Sequence, residues 1–119
     1  MEQQLGQAAK NGDIAQVRQL IAAGVNPAAM DNWAIQLASL NGHTEVVRLL
    51  LSDPRVNPAA NNNNAIIWAS RNGHLGVVRL LLQDKRMDLS TITDGFINMV
   101  KGFTTPAVVE VLEQYKTGS

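Results

Sequence analysis

The chain has 119 residues, 45% apolar and 17% charged, enough apolar content for one ordinary folded domain. Ten basic and ten acidic side chains cancel, which argues against a nucleic-acid or anionic-membrane partner gripped by bulk electrostatics. No stretch approaches the roughly 18 uninterrupted apolar residues of a membrane span, and without cysteine there is neither a disulfide framework nor thiolate chemistry.

The start, "MEQQLGQAAKNGD", is polar from its second residue and does not read as a secretory signal. Together with the missing cysteines, it suggests an intracellular, cytoplasmic setting. The first segment, "LGQAAKNGDIAQVRQLIAAGVNPAA", pairs Ala8-Ala9 with Gly12-Asp13 and then Val17 and Leu20. It reads as two short helices and a polar loop, lightened by Gln3, Gln4 and Gln7 as an end unit should be.

The second segment states the pattern more strongly. "NWAIQLASLN" forms a helix whose small Ala38 and Ser39 permit close approach, and Asn41-Gly42 breaks it. A second helix runs from about Thr44 to Ser52, with Val46 and Leu50, and Val47 and Leu51, as i,i+4 pairs on one apolar stripe. Pro54 follows its end.

The third segment repeats the second at an offset of 31 residues, so that "NGHTEVVRLLL" from Asn41 recurs as "NGHLGVVRLLL" from Asn72. Gly76, in the place of Glu45, is an oddity inside a helix and costs about 0.5–1 kcal/mol relative to alanine there. The fourth segment, "GFINMVKGFTTPAVVEVLEQY", keeps the apolar rhythm but replaces Gly-His with Thr104-Thr105. Its second helix carries Glu110 and Glu113, with Lys116 beyond, which suits a closing cap, and the final "TGS" carries no functional weight.

No single helix pair can bury its own apolar face, whereas stacked pairs share a continuous core. The expected architecture is an all-α solenoid of four helix-turn-helix units, at roughly 2–30, 31–61, 62–92 and 93–117, within one domain over 1–119. The predicted core comprises Leu5, Ala8, Val17, Leu20, Ile35, Ala38, Val46, Val47, Leu50, Ile66, Ala69, Val77, Val78, Leu81, Ile97, Val100, Val108 and Leu112. The polar ends argue for a complete array and a monomer.

"NAIIWASRNGHLGVVRLLL" resembles the ankyrin repeat, whose units combine Thr-Pro-Leu-His, Ala-Ala, Gly-His and Val-Val-x-Leu-Leu-Leu. Thr-Pro-Leu-His is replaced by Trp33-Ala34-Ile35-Gln36 and by Asn64-Ala65-Ile66-Ile67, so the hydrogen-bond network that opens the family's first helix is absent. An offset of 31, where ankyrin units take about 33 residues, implies shortened inter-repeat turns instead of projecting hairpins. The resemblance implies a non-catalytic module that binds a protein, with no cofactor.

The chemistry-bearing residues do not contradict that implication. His43 and His74 sit at equivalent helix starts about one repeat spacing (~10 Å) apart, too far for two ligands of one zinc, and are read as forming local hydrogen bonds. Ser39 and Ser70 lack a histidine base and read as packing residues. Asn61–Asn64 read as a turn plus N-cap, with a polar binding surface as the rival reading. No glycine run forms a phosphate loop.

If a protein partner binds, the resemblance places it on the inter-repeat turns and the exposed side of the first helices. The candidates are Lys10 and Asn11; Met30, Asn32, Trp33, Leu40 and Asn41; Asn61, Asn63, Ile67, Arg71 and Asn72; and Lys101 and Phe103. Trp33 either anchors the partner or covers the first-helix end, Trp68 is expected to point inward, and Phe103 to close the last core. The alternative is a structural or engineered repeat scaffold with no dedicated natural partner, which near-identical middle units also suit.

Overall fold

The computed structural model describes residues 2–116, so Thr117 and the rest of the "TGS" tail lie outside it. Eight α-helices form four consecutive pairs: α1 (Glu2–Asn11) with α2 (Ile14–Ala22), α3 (Ala29–Leu40) with α4 (Thr44–Leu51), α5 (Ala60–Arg71) with α6 (Leu75–Gln83), and α7 (Asp94–Lys101) with α8 (Pro106–Gln114). The first helices stack in one layer and the second helices in another, along a body measuring 44 × 22 × 18 Å. There is no strand among the described residues, in line with short turns between pairs.

Each pair breaks where the repeat places Asn-Gly. Gly42 takes φ +75°, a region that costs an ordinary L-residue about 1–2 kcal/mol, and a Cβ there would lie 2.5 Å from His74 Nδ1. Glycine therefore answers two demands at once, the reversal of the chain and the seating of the next repeat's histidine. In the fourth pair, Thr105 takes over. Its hydroxyl accepts from Val108 N–H at 3.3 Å, and Pro106 occupies the first helical turn, where its missing N–H costs nothing. The start of α7 is built likewise, with Thr93 accepting from Phe96 N–H at 3.2 Å after a short 3-10 turn, Leu89–Thr91.

The core runs the length of the stack. Val17, Val47 and Val78 are fully buried, as are the other predicted core residues with one exception. Leu20 is only half-buried, packed against the core's edge. The stretches read as polar loops contribute more than expected, because Val25, Val56 and Met87 tuck beneath the three inter-pair connections. Burying one such side chain stabilises by about 1.5–3 kcal/mol, so these connections are anchored to the core.

Gly76 also finds its reason in packing. A Cβ there would meet Thr44 Oγ1 at 3.1 Å and Cγ2 at 3.3 Å, so the missing side chain lets α6 lie close against α4. Ser39 and Ser70 are fully buried between layers, as their reading required.

Candidate protein-binding surface

The turns entering α3 and α5 have an unusual backbone. Met30, Asp31 and Asn32 hold φ of 56°, 58° and 62°, and Asn61, Asn62 and Asn63 hold 57°, 57° and 64°. Each triplet is a single left-handed turn, after which the right-handed helix proceeds from Trp33 or Asn64. Asparagine is among the few residues that tolerate this region, which explains the asparagine run physically. An upstream asparagine sets each turn up: Asn26 Oδ1 accepts from Ala28 N–H at 2.9 Å and Asn57 Oδ1 from Ala59 N–H at 3.0 Å.

The left-handed turns aim the last asparagine of each triplet inward. Asn32 and Asn63, expected on the binding surface, are only 7% and 2% exposed. Asn32 Oδ1 accepts from Asn57 N–H at 2.8 Å, and Asn63 Nδ2 donates to the Asp88 carbonyl at 3.2 Å and to Thr91 Oγ1 at 2.5 Å. Both tie their own pair to the next one. The N-cap reading of the run is corrected with them, since these side chains reach the neighbouring connection instead of their own helix.

A polar network does exist where Thr-Pro-Leu-His is missing, built on Gln36. Its Nε2 donates to the Asp31 carbonyl at 2.8 Å, while Oε1 accepts from Asn61 at 3.2 Å and Asn64 at 2.9 Å. The histidines likewise act across pairs. His43 Nε2 donates to the Lys10 carbonyl at 2.8 Å and His74 Nε2 to the Leu40 carbonyl at 3.0 Å, which corrects the reading of purely local bonds.

What is left facing solvent along the first-helix layer is more apolar than polar capping requires. Trp33 is 37% exposed, with one edge of its ring lying over Gly6 of α1, so it both covers its neighbour and shows a face. Met30 is 50% exposed, Met99 49% and Phe103 64%. Phe103 therefore does not close the last core. Trp68 does not point fully inward either: it is half-buried, and the Arg71 guanidinium carbon lies 5.2 Å from its ring centroid and 5.0 Å from that of Phe103.

Of the other candidates, Lys10, Asn11, Asn41, Asn61, Asn72 and Lys101 are exposed, whereas Leu40, Ile67 and Arg71 are half-buried. Asn72 also donates to the Leu40 carbonyl at 3.1 Å. Sequence reasoning missed Met99, whose exposure depends on where the last pair sits in the stack.

The arginines differ in what they hold. In the connections, Asp53 and Asp84 are held below the usual carboxylate range by hydrogen bonds from the Arg55 and Arg86 side chains. Arg48 pairs with Glu45 at 3.3 Å. Arg71, by contrast, has no hydrogen-bond or ion-pair partner among the described residues, only its two aromatic rings. A groove of about 350 Å³ on the second-helix layer, lined by Arg79, Glu110 and Tyr115 among others, lies away from all these candidates. Among the described residues, no three His, Cys, Asp or Glu side chains gather as a metal site would need, and no helix is long and apolar enough to cross a membrane.

Residues 5–92 match the ankyrin repeat family, as three copies. The chain belongs to the ankyrin repeat family. The match spans the first three helix pairs, and α7–α8 lie beyond it, where Gly-His gives way to Thr104-Thr105. Among curated proteins, no match was found. Ankyrin repeats are generally protein–protein interaction modules and typically not enzymes.

Proposed function

We propose that this ankyrin domain is a monomeric, non-catalytic module that binds an intracellular protein through its first-helix layer and the turns that enter it. One observation carries the reading. Every large apolar side chain exposed among the described residues (Met30, Trp33, Met99 and Phe103) lies on a first helix or a turn flanking one, and none lies on the second-helix layer. Exposed apolar side chains gathered on one side of a folded domain mark interaction sites, and tryptophan and other aromatics are enriched where binding energy concentrates. Lys10, Asn11, Asn41, Asn61, Arg71 and Asn72 supply the polar surround, with the half-buried Leu40 among them.

The test is capture from lysate by the wild-type chain beside a Trp33→Ala/Leu40→Ala/Phe103→Ala variant, with circular dichroism to show that both fold. Since Trp33 also covers α1, a Met30→Ala/Phe103→Ala variant stands in if the triple substitution loses helicity. A protein retained by wild type and lost by the folded variant supports the surface. Retention by both displaces binding to another face, and retention by neither favours a repeat scaffold with no dedicated partner.

A further inference from the structure

We infer that Arg71 is a carboxylate receptor, and that the segment recognised by the first-helix layer is acidic. The inference rests on the protein-binding reading above and gives the partner its chemistry.

A guanidinium is flat, with five N–H donors around its rim and two faces that take aromatic rings. The Arg71 guanidinium carbon lies over two rings, 5.2 Å from the Trp68 centroid and 5.0 Å from that of Phe103. The rings come from different helix pairs, Trp68 from α5 and Phe103 from the turn after α7, so the stacking of the array brings them to one guanidinium. The rim is unused, because no acceptor within the described residues engages it. Of the other arginines, Arg48, Arg55 and Arg86 each hold a carboxylate and Arg18 and Arg79 hold none among the described residues. All five are exposed, whereas Arg71 is half-buried against two rings. A stacked, half-buried guanidinium with free donors is preorganised for a bidentate carboxylate.

Basic residues recur at this end of the first helices, with Glu110 sharing a groove with Lys101. In the second repeat Glu45 stands at the start of the neighbouring second helix, but its counterparts in the third and fourth pairs are Gly76 and Ala107. Lys10 occupies Arg71's position two helices earlier in the layer, and Lys101 ends α7 one helix later. At ~10 Å between stacked helices, Lys10 to Lys101 is a run of about 30 Å, spanned by roughly nine residues of extended peptide. The exposed side of Phe103 offers an apolar rest beside the receptor.

A nucleic acid suits the site less well, because one face of each ring is given to Arg71 and the chain's formal net charge of zero offers a phosphate backbone no bulk attraction.

The experiment is a titration of the intact domain with a synthetic peptide of about ten residues, with glutamate at every third position around one central leucine. The readout is the Arg71 Nε–H signal by NMR, together with calorimetric affinity. The expected result is a saturable shift of that signal, with binding weakened about tenfold by glutamate-to-glutamine exchange in the peptide and by Arg71→Lys in the protein, since lysine keeps the charge but not the fork. Arg71→Gln should abolish the binding seen by calorimetry, with circular dichroism as the check that both variants stay folded. Equal binding of glutamate and glutamine peptides overturns the inference, as does Arg71→Lys binding like wild type. Tighter binding of a single-stranded oligonucleotide at the same signal also overturns it. If a captured natural partner depends on Met30 and Phe103 but is indifferent to Arg71→Gln, the carboxylate receptor falls while the protein-binding surface stands.

Discussion

The connection after α2 and the connection after α4 end equivalent helices in different ways. After α2 the chain closes on itself. Gly24 at φ +104° lets its N–H reach the Ile21 carbonyl at 3.0 Å, and Val25 N–H reaches that of Leu20 at 3.0 Å, so the last helical carbonyls are satisfied by local backbone. After α4 the chain from Ser52 to Asn57 is one residue longer than its counterpart from Ala22 to Asn26 and has no glycine. There the Leu51 carbonyl, counterpart of Ile21's, accepts from Arg86 Nη2 at 2.6 Å. Arg86 Nη1 also donates to the carbonyls of Asp53 at 3.0 Å and Val56 at 2.6 Å, while Asp84 holds the same guanidinium from behind at 2.8–2.9 Å.

Both ends use local backbone, Asp53 N–H reaching the Leu50 carbonyl at 3.1 Å after α4, but the Ile21 carbonyl is closed from within its own repeat and the Leu51 carbonyl by the neighbouring one. Arg55, which stands where Arg86 stands one repeat later, binds Asp53 but no carbonyl of the first connection. In the first connection Gly24 N–H has already taken the Ile21 carbonyl, the counterpart of the Leu51 carbonyl that Arg86 takes. In an array whose stability is the sum of each repeat's own stability and its interfaces, the first arrangement feeds the former term and the second feeds the latter.

The largest expected effect comes from removing the shared clamp. Arg86→Ala leaves three carbonyls without their charged donor and should lower stability by about 2–3 kcal/mol, discounted from the sum of three charge-assisted bonds because water partly replaces them. Arg55→Ala should leave the urea midpoint where it is. Equal shifts for the two variants would erase the distinction between the connections.

Next comes the self-contained closure. A Cβ at Gly24 meets nothing within 4 Å, so Gly24→Ala tests backbone conformation alone, at an expected cost of about 1–2 kcal/mol. Combined with Arg86→Ala the two losses should add to within ~0.5 kcal/mol, because the groups share no partner. A larger coupling energy in the urea double-mutant cycle would mean that both connections report on one cooperative unit.

How much of this was legible in the sequence follows from the range of the interactions. The stacked helix pairs follow from the recurrence of Gly-His and Val-Val-x-Leu-Leu-Leu, because periodic burial and helix breaking are properties of the local text. The left-handed turns were half legible: an asparagine run signals positive φ, but nothing in "MDN" announces it. What could not be read was direction. Asn32 and Asn63 were expected to face a partner, and only the handedness of the turn sends them inward. Arg86 passed unremarked for a similar reason, since its acceptors are backbone groups 30–35 residues away with no side-chain signature. The Arg71 stack depends on a ring supplied by the next pair.

The clamp also makes one connection sensitive to acid. The folded pKa of Asp84 is lowered, chiefly by the Arg86 side-chain hydrogen bond. Its contribution is therefore full above the unfolded carboxylate value of ~3.9 and is lost as pH falls through the lower folded value. Thermal melts should show Asp84→Asn less stable than wild type at pH 7, with the gap closing as pH drops below about 4. Asp53→Asn should show a smaller gap, because Arg55 passes nothing on to the preceding repeat. If the Asp84→Asn gap persists unchanged in acid, the carboxylate's charge is not what orients Arg86.

The smallest effect separates the turns that follow the two connections. Asn61, Asn62 and Asn63 suit their left-handed backbone, whereas Met30 holds φ of 56° with a side chain that gains nothing from that conformation and is half exposed. Met30→Asn should therefore stabilise the fold by about 0.5 kcal/mol, part of the ~1–2 kcal/mol that left-handed conformation costs an ordinary residue. The methionine persists there against its own backbone preference, which is what a residue kept for contact with a partner would do. The same substitution should weaken partner retention while raising the urea midpoint. A variant that gains stability and binds its partner as before would make Met30 a tolerated misfit, and the recognition surface would contract toward Trp33 and Phe103.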